Sequence, residues 1–309
     1  MIVVQRKELV MTLKIENVTK KFGDFTAVDQ LDLTVEAGTM YGFLGANGAG
    51  KTTTFRMILG LLNANEGKIT WNGQKISYAT SHEIGYLPEE RGLYPKMKVL
   101  EQLIFLGQLR GMSKRAAKEA AETWMNNMEI DHYAQKKVEE LSKGNQQKVQ
   151  VVASLLHNPK LLILDEPFSG LDPVNVELLK NAILQFRNNG ATILFSSHRM
   201  DHVEELCEQL SIVSHGKQIV SGSLRDVKRS FGKQNVRIHA DIDLTSLEQI
   251  AGVTAMQTAI EGAVFQVEQE EVAQQLLNAA MALGPIRHFA IEEPSLQEIF
   301  IEKVGKQHA

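Results

Sequence analysis

The eight residues Gly45-Ala46-Asn47-Gly48-Ala49-Gly50-Lys51-Thr52 limit what this chain can become more than any other stretch. They match the pattern G-x-x-x-x-G-K-[ST] at every position. The apolar run Met40 to Leu44 leads into them. Helical periodicity begins after Gly50 and carries Phe55, Ile58, Leu59 and Leu62. A buried strand that turns through glycines into a helix makes a cradle for phosphate. Glycine lets backbone N–H groups turn inward where a Cβ would obstruct them. The helix that follows adds the partial positive charge of its N-terminus. In such a loop Lys51 neutralises the β- and γ-phosphates, and the Thr52 hydroxyl is a ligand for Mg²⁺.

A second element, this one acidic, complements the first. Leu161-Leu162-Ile163-Leu164 is an unbroken apolar run of strand length, and Asp165-Glu166 follows it. Such a strand delivers carboxylates to its C-terminal end, where parallel sheets bind their ligands. Asp165 is the expected holder of the Mg²⁺ shell, directly or through water. Glu166 is the candidate general base that polarises an attacking water.

Strand-like and helix-like segments alternate from Leu13 to about Val220, which predicts an α/β domain with a largely parallel sheet. The strands include Leu13 to Val18, Leu31 to Val35 and Thr192 to Phe195. Strand patterns nearly vanish over 99–156, which reads as a helical insert. The first domain is expected over 12–230. The pattern changes after about Ser230. Strand Val236 to Ile242, a short helix at Leu244 to Ile250, a hairpin turning at Glu261-Gly262, a helix from Val272 to Leu283 and a strand from Arg287 to Ile291 give the order βαββαβ. That is the order of a small α+β, ferredoxin-like unit, expected over 235–309 with a last helix after Pro294. With 309 residues, two domains also fit ordinary domain size.

Composition removes several classes. Net charge is −4, so no strong basic field advertises nucleic-acid binding. The single cysteine, Cys207, excludes an internal disulfide framework and a Cys-rich zinc site. No run approaches the roughly 18 apolar residues of a membrane span. Ile2-Val3-Val4 is too short for a signal peptide, and Gln5-Arg6-Lys7-Glu8 follows at once. A cytoplasmic protein is expected, starting at Met1 or at Met11, where the patterned sequence begins.

Three further segments carry a family resemblance. Leu141-Ser142-Lys143-Gly144-Asn145-Gln146-Gln147-Lys148 resembles the signature of ABC ATPases, whose usual core is L-S-G-G-Q. Ser169-Gly170-Leu171-Asp172 resembles their D-loop, and Ser196-Ser197-His198 their switch histidine. The order of phosphate loop (Walker A), signature, Walker B acids, D-loop and switch histidine is that of the family over roughly Leu13 to Arg225. The resemblance implies a P-loop NTPase fold of the ABC ATPase kind, with ATP and Mg²⁺ as ligands. It implies a head-to-tail dimer, of two identical or two different subunits, with two ATPs held between them. Each nucleotide would meet Gly45, Asn47, Gly48, Ala49, Gly50, Lys51, Thr52 and Thr53 with Asp165, Glu166 and His198 of one chain. Ser142, Gly144 and Asp172 would come from the other. Ser142 also reads as an ordinary helix N-cap. Phe22, in Lys20-Lys21-Phe22-Gly23, resembles the aromatic that stacks on adenine, with Phe25 as a rival. His198 would contact the γ-phosphate and orient the water.

Two positions depart from the family pattern. Glu89 follows strand Ile84 to Leu87 where the family usually has glutamine. It is expected to approach Mg²⁺ and the water as an anion, beside Thr52 and Asp165. Lys143-Gly144-Asn145 replaces Gly-Gly-Gln, with Gly144 left to supply the close approach. The Glu89 to Met97 segment and the small C-terminal domain are similar to ATPase subunits of drug-efflux and sodium-extrusion exporters. That similarity implies separate membrane-spanning permease subunits docked near Glu89 to Val99, and placement at the inner face of the cell membrane. The alternative is a soluble ABC-type ATPase acting on ribosomes or nucleic acid. One phosphate loop, with no long coiled coil, speaks against it.

Overall fold

The computed structural model describes residues 12–90 and 92–305; the choice between Met1 and Met11 as start falls outside them. The chain divides into two units between Ser221 and Gly222.

In the first unit, β1 (Leu13–Phe22) and β2 (Phe25–Val35) form an antiparallel hairpin with Leu13, Ile15, Leu31, Leu33 and Val35 buried. β3 (Met40–Gly45) is buried along its whole length and leads through the glycine-rich loop into α1 (Lys51–Ile58). The apolar residues Leu59 and Leu62 do not extend this helix as their spacing suggested. Gly60 takes φ of 70°, and its N–H returns to the Met57 carbonyl at 3.0 Å, which closes the helix. Leu59 and Leu62 still pack against the core. β4 (Glu66–Trp71) then pairs with β1, and β5 (Gln74–Lys75) with β4, both antiparallel. This gives a separate sheet, β2-β1-β4-β5, beside the expected parallel one. β4 has no readable period because only Trp71 in it is buried.

The expected helical insert is present as α2 (Val99–Leu109), α3 (Lys114–Asn127) and α4 (Lys143–Leu155), after the short strand β6 (Ile84–Leu87). Then come β7 (Leu161–Asp165), α5 (Pro173–Asn188), β8 (Thr192–Ser196), α6 (Met200–Leu206), β9 (Gln209–Ser214) and β10 (Lys217–Ser223). The large sheet has the order β10-β9-β3-β8-β7-β6, and the pairs from β9 to β6 are parallel. β3, β7 and β8 are buried at every position, as unbroken apolar strands of a covered parallel sheet should be. β8 lies between β3 and β7. The ends of these three strands therefore emerge side by side, at Gly45, Ser196 and Asp165.

The second unit contains α7 (Leu224–Ser230), β11 (Gln234–His239), β12 (Val253–Ala259), β13 (Gly262–Val267), α8 (Glu270–Leu283), β14 (His288–Glu292) and α9 (Leu296–Gly305). Helix α7 thus counts with the smaller unit, although the sequence reading placed it in the larger. The sheet order β12-β13-β11-β14, antiparallel throughout, is the ferredoxin-like one. The expected helix at 244–250 is only a 3₁₀ turn, Thr245–Gln249. Leu244 and Leu247, three residues apart, are the pair it buries, and one tight turn suffices for that. α8 covers the sheet with Val272, Ala273, Leu276 and Ala280.

Candidate active site

A cavity of about 400 Å³ opens at the C-terminal ends of β3 and β7. Ala46, Asn47, Gly48, Ala49, Gly50, Lys51, Thr52 and Thr53 line one side, and Glu89, Asp165 and Glu166 the other. Gly45 ends β3 beneath the loop. A Cβ there would stand 2.6 Å from the Val213 carbonyl oxygen, so strand packing demands glycine. Gly50 begins the helix with φ of 103°, and a Cβ would lie 2.5 Å from the Ala27 carbonyl oxygen. The Lys51 ammonium is drawn back over the loop, donating to the carbonyls of Gly45 at 2.7 Å and Ala46 at 3.3 Å. These bonds hold its charge at the centre of the cradle.

Thr52 and Asp165 meet, with the hydroxyl Oγ1 donating to Oδ2 at 3.3 Å. These are hard oxygen donors, the set that a small dication keeping several waters prefers. The residues present therefore fit Mg²⁺ bound with a nucleotide. Glu89 lines the same cavity and is exposed.

Glu166 is buried, and its backbone holds φ of 51°, uncommon for a residue with a side chain. Such strain concentrates where chemistry fixes a side chain's direction. Its N–H donates to the Ser196 carbonyl at 3.2 Å. Its Oε2 lies 2.8 Å from His198 Nδ1 and accepts from Ser197 Oγ at 3.4 Å. Burial pushes the carboxyl pKa up, against the opposing pull of His198 and then of Lys51. The result is a carboxylate whose proton affinity is increased, as a base requires. His198 is not part of the cavity lining. It reaches the site through Glu166, and its own ring is largely exposed.

Of the two aromatic candidates, Phe25 lines the cavity and Phe22 does not. The two are cross-strand partners at the tip of the β1–β2 hairpin. Phe22 is half exposed, with the Lys20 ammonium 5.1 Å from its ring centre.

Ser142, Gly144 and Asp172 are also absent from the cavity lining. Ser142 caps α4, accepting from the Asn145 N–H at 3.3 Å. Asp172 caps α5 and accepts from the Asn175 N–H at 3.0 Å, a bond that holds its carboxyl pKa below the usual range. At Gly144 a Cβ would meet only Leu171 Cδ2, at an ordinary 3.6 Å. Nothing among the described residues requires glycine there. Sequence reasoning gave no role to Ser196 or Ser197. Their signal lay in register, since the strand that ends at Ser196 runs beside the strand that ends at Asp165.

Residues 28–169 match the family model of the ABC transporter, and residues 222–304 that of the ATP-binding protein DrrA1-3-like, C-terminal domain. The chain is 57% identical over 293 residues to an uncharacterized ABC transporter ATP-binding protein, YhaQ, of Bacillus subtilis, covering 95% of this chain and 98% of that one. It is 31% identical over 304 residues to the Nod factor export ATP-binding protein I of Burkholderia lata, covering 96% and 98%. Among solved structures, an ATP binding subunit of an ABC transporter superposes with a TM-score of 0.67 at 29% identity, covering 71% of this chain and 93% of that one. A phosphate loop facing two strand-end acids, carried by a chain that matches such relatives over nearly its whole length, identifies the protein as a member of the ABC transporter ATP-binding protein family.

Proposed function

We propose that this chain is the ATP-hydrolysing subunit of an ABC exporter whose membrane path lies on separately encoded permease subunits. One observation carries most of the weight. The phosphate loop, Asp165 and Glu166 line a single cavity. The loop amides and Lys51 hold the triphosphate, and Thr52 and Asp165 would hold Mg²⁺. When bound, Mg²⁺ offsets negative charge on the β- and γ-phosphates. Glu166 accepts a proton from the attacking water as the water oxygen bonds to the γ-phosphorus. The bond from that phosphorus to the bridging oxygen breaks, and ADP keeps the bonding electrons. His198, against Glu166, fixes the direction of the carboxylate. The adenine packs on the β1–β2 hairpin tip, at Phe25 or Phe22.

Two such subunits work head to tail. Ser142, Gly144 and Asp172 of each subunit close over the nucleotide of the other, which accounts for a glycine at 144 that the described residues of its own chain do not need. ATP closes the pair and hydrolysis reopens it. The permease docks on a groove of about 320 Å³ near the helical insert, lined by residues including Tyr86, Leu93, Leu106, Leu109, Gln150 and His157. Among the described residues no helix is long and apolar enough to cross a membrane, which accords with a path on other chains and a place at the inner, cytoplasmic face. An exporter is favoured by the export function in the name of the Burkholderia relative. No observation favours the alternative of action on ribosomes or nucleic acid.

The test is Glu166→Gln. It should keep ATP binding within a few-fold, lose at least a hundredfold in turnover, and elute as an ATP-dependent dimer in size-exclusion chromatography. Turnover within threefold of the parent would remove Glu166 as the base.

A further inference from the structure

Ser196 is the last residue of β8 and is fully buried. In the parallel register it stands beside Asp165 on β7. A serine hydroxyl has one proton to give. Here Oγ lies 2.6 Å from Asp165 Oδ1, and the carboxylate can only accept, so the proton points there. This is a short bond to a charged acceptor, the stronger kind. The same Oγ accepts from the Glu166 N–H at 3.3 Å. The other carboxylate oxygen of Asp165, Oδ2, is the one that faces Thr52. Ser196 thus occupies one oxygen of Asp165 and leaves the other toward the phosphate loop, while touching the backbone of the strained Glu166.

We propose that Ser196 is a positioning residue of the ATPase site. It locks the Asp165 carboxylate with Oδ2 turned toward Thr52 and the nucleotide's divalent cation, an assignment that rests on the proposed cation role of Asp165. Without the hydroxyl, the carboxylate loses the bond that fixes Oδ1, which is then buried without that donor, while Thr52 still faces Oδ2. Outer partners of this kind typically govern metal affinity by tenfold or more. Ser197 does not share the role, because its hydroxyl reaches Glu166 instead.

The experiment measures binding of a non-hydrolysable ATP analogue to the full chain by calorimetry, once with Mg²⁺ and once with EDTA. The ratio of the EDTA dissociation constant to the Mg²⁺ one reports what the cation contributes. Ser196→Ala should lower that ratio about tenfold while the EDTA value stays within twofold. Ser196→Thr, which keeps the hydroxyl, should restore it. A ratio in Ser196→Ala within twofold of the parent overturns the proposal, as does an EDTA constant that weakens as much as the Mg²⁺ one. Should Ser196→Ala melt far below the parent, Ser196→Cys fills the same space with a weak donor and carries the same prediction. Asp165→Asn separates the two assignments. If it also leaves the ratio unchanged, the cation role of Asp165 is what fails. If it abolishes the ratio while Ser196→Ala does not, Ser196 alone is wrongly assigned.

Discussion

His157, just after α4, lines the wall of the groove. Its Nε2 lies 3.2 Å from the Ile84 carbonyl oxygen and so donates to it, while Nδ1 is buried with no partner among the described residues. Burial, with Arg110 and His82 nearby, pushes its pKa from 6.5 down to about 4. The unfolded chain therefore binds a proton between these values that the folded chain refuses. Stability is complete above about pH 6.5 and is lost as the pH falls toward about 4. At about 1.4 kcal/mol per pH unit the linkage totals about 3 kcal/mol, and partial solvent contact of the ring reduces it to about 2 kcal/mol. Roughly half of that, about 1 kcal/mol, is gone by pH 5. His157→Gln keeps an N–H for Ile84 and removes the titration. Urea unfolding at pH 7.5 and pH 5.0 reads the difference. The parent midpoint should fall by roughly 0.4 M more than that of the variant, at about 2.5 kcal/mol per M. Parallel pH dependences in the two proteins would refute the reasoning.

Two further expectations concern contacts between chains. Gly144→Ala adds a methyl that α4 has room for, so the melting temperature should hold or rise, as alanine favours the helix by up to about 1 kcal/mol. ATP-driven dimerisation, measured in the Glu166→Gln background, should nevertheless weaken at least tenfold; unchanged dimerisation would place Gly144 outside the interface. Leu109 is exposed at the groove rim, so Leu109→Asp should leave folding and ATP binding intact. In the native cell it should cut cofractionation with membranes several-fold, and full retention on membranes would move the docking site elsewhere.

The parts of this protein that were readable in sequence are those in which local chemistry fixes the structure. Gly45 to Thr52 cannot do much besides turn around an anion, and Leu161 to Asp165 can only be a covered strand. β4 was missed because a strand with one buried residue carries no period. The helix expected at 244–250 failed because two leucines three apart suit a 3₁₀ turn as well as an α-helix. The contact of Ser196 with Asp165 depends on which strand lies beside which, and register is a property of pairs. Local pattern in one strand does not encode its neighbour.

The position of β8 has a consequence for how the molecule comes into being. β3 pairs with β8 and β9, β7 pairs with β6 and β8, and β3 never touches β7 in the sheet. A ribosome that has released only the first 190 residues has already made the phosphate loop and both strand-end acids. It has not made the strand that joins them. The nucleotide site is thus expected to appear late and all at once, when Thr192 to Ser196 slides between two waiting edges over a long chain separation, the kind of pairing that folds slowly. Until then each half offers an open apolar edge to neighbouring chains, and ATP has nothing complete to bind that could stabilise the nascent domain.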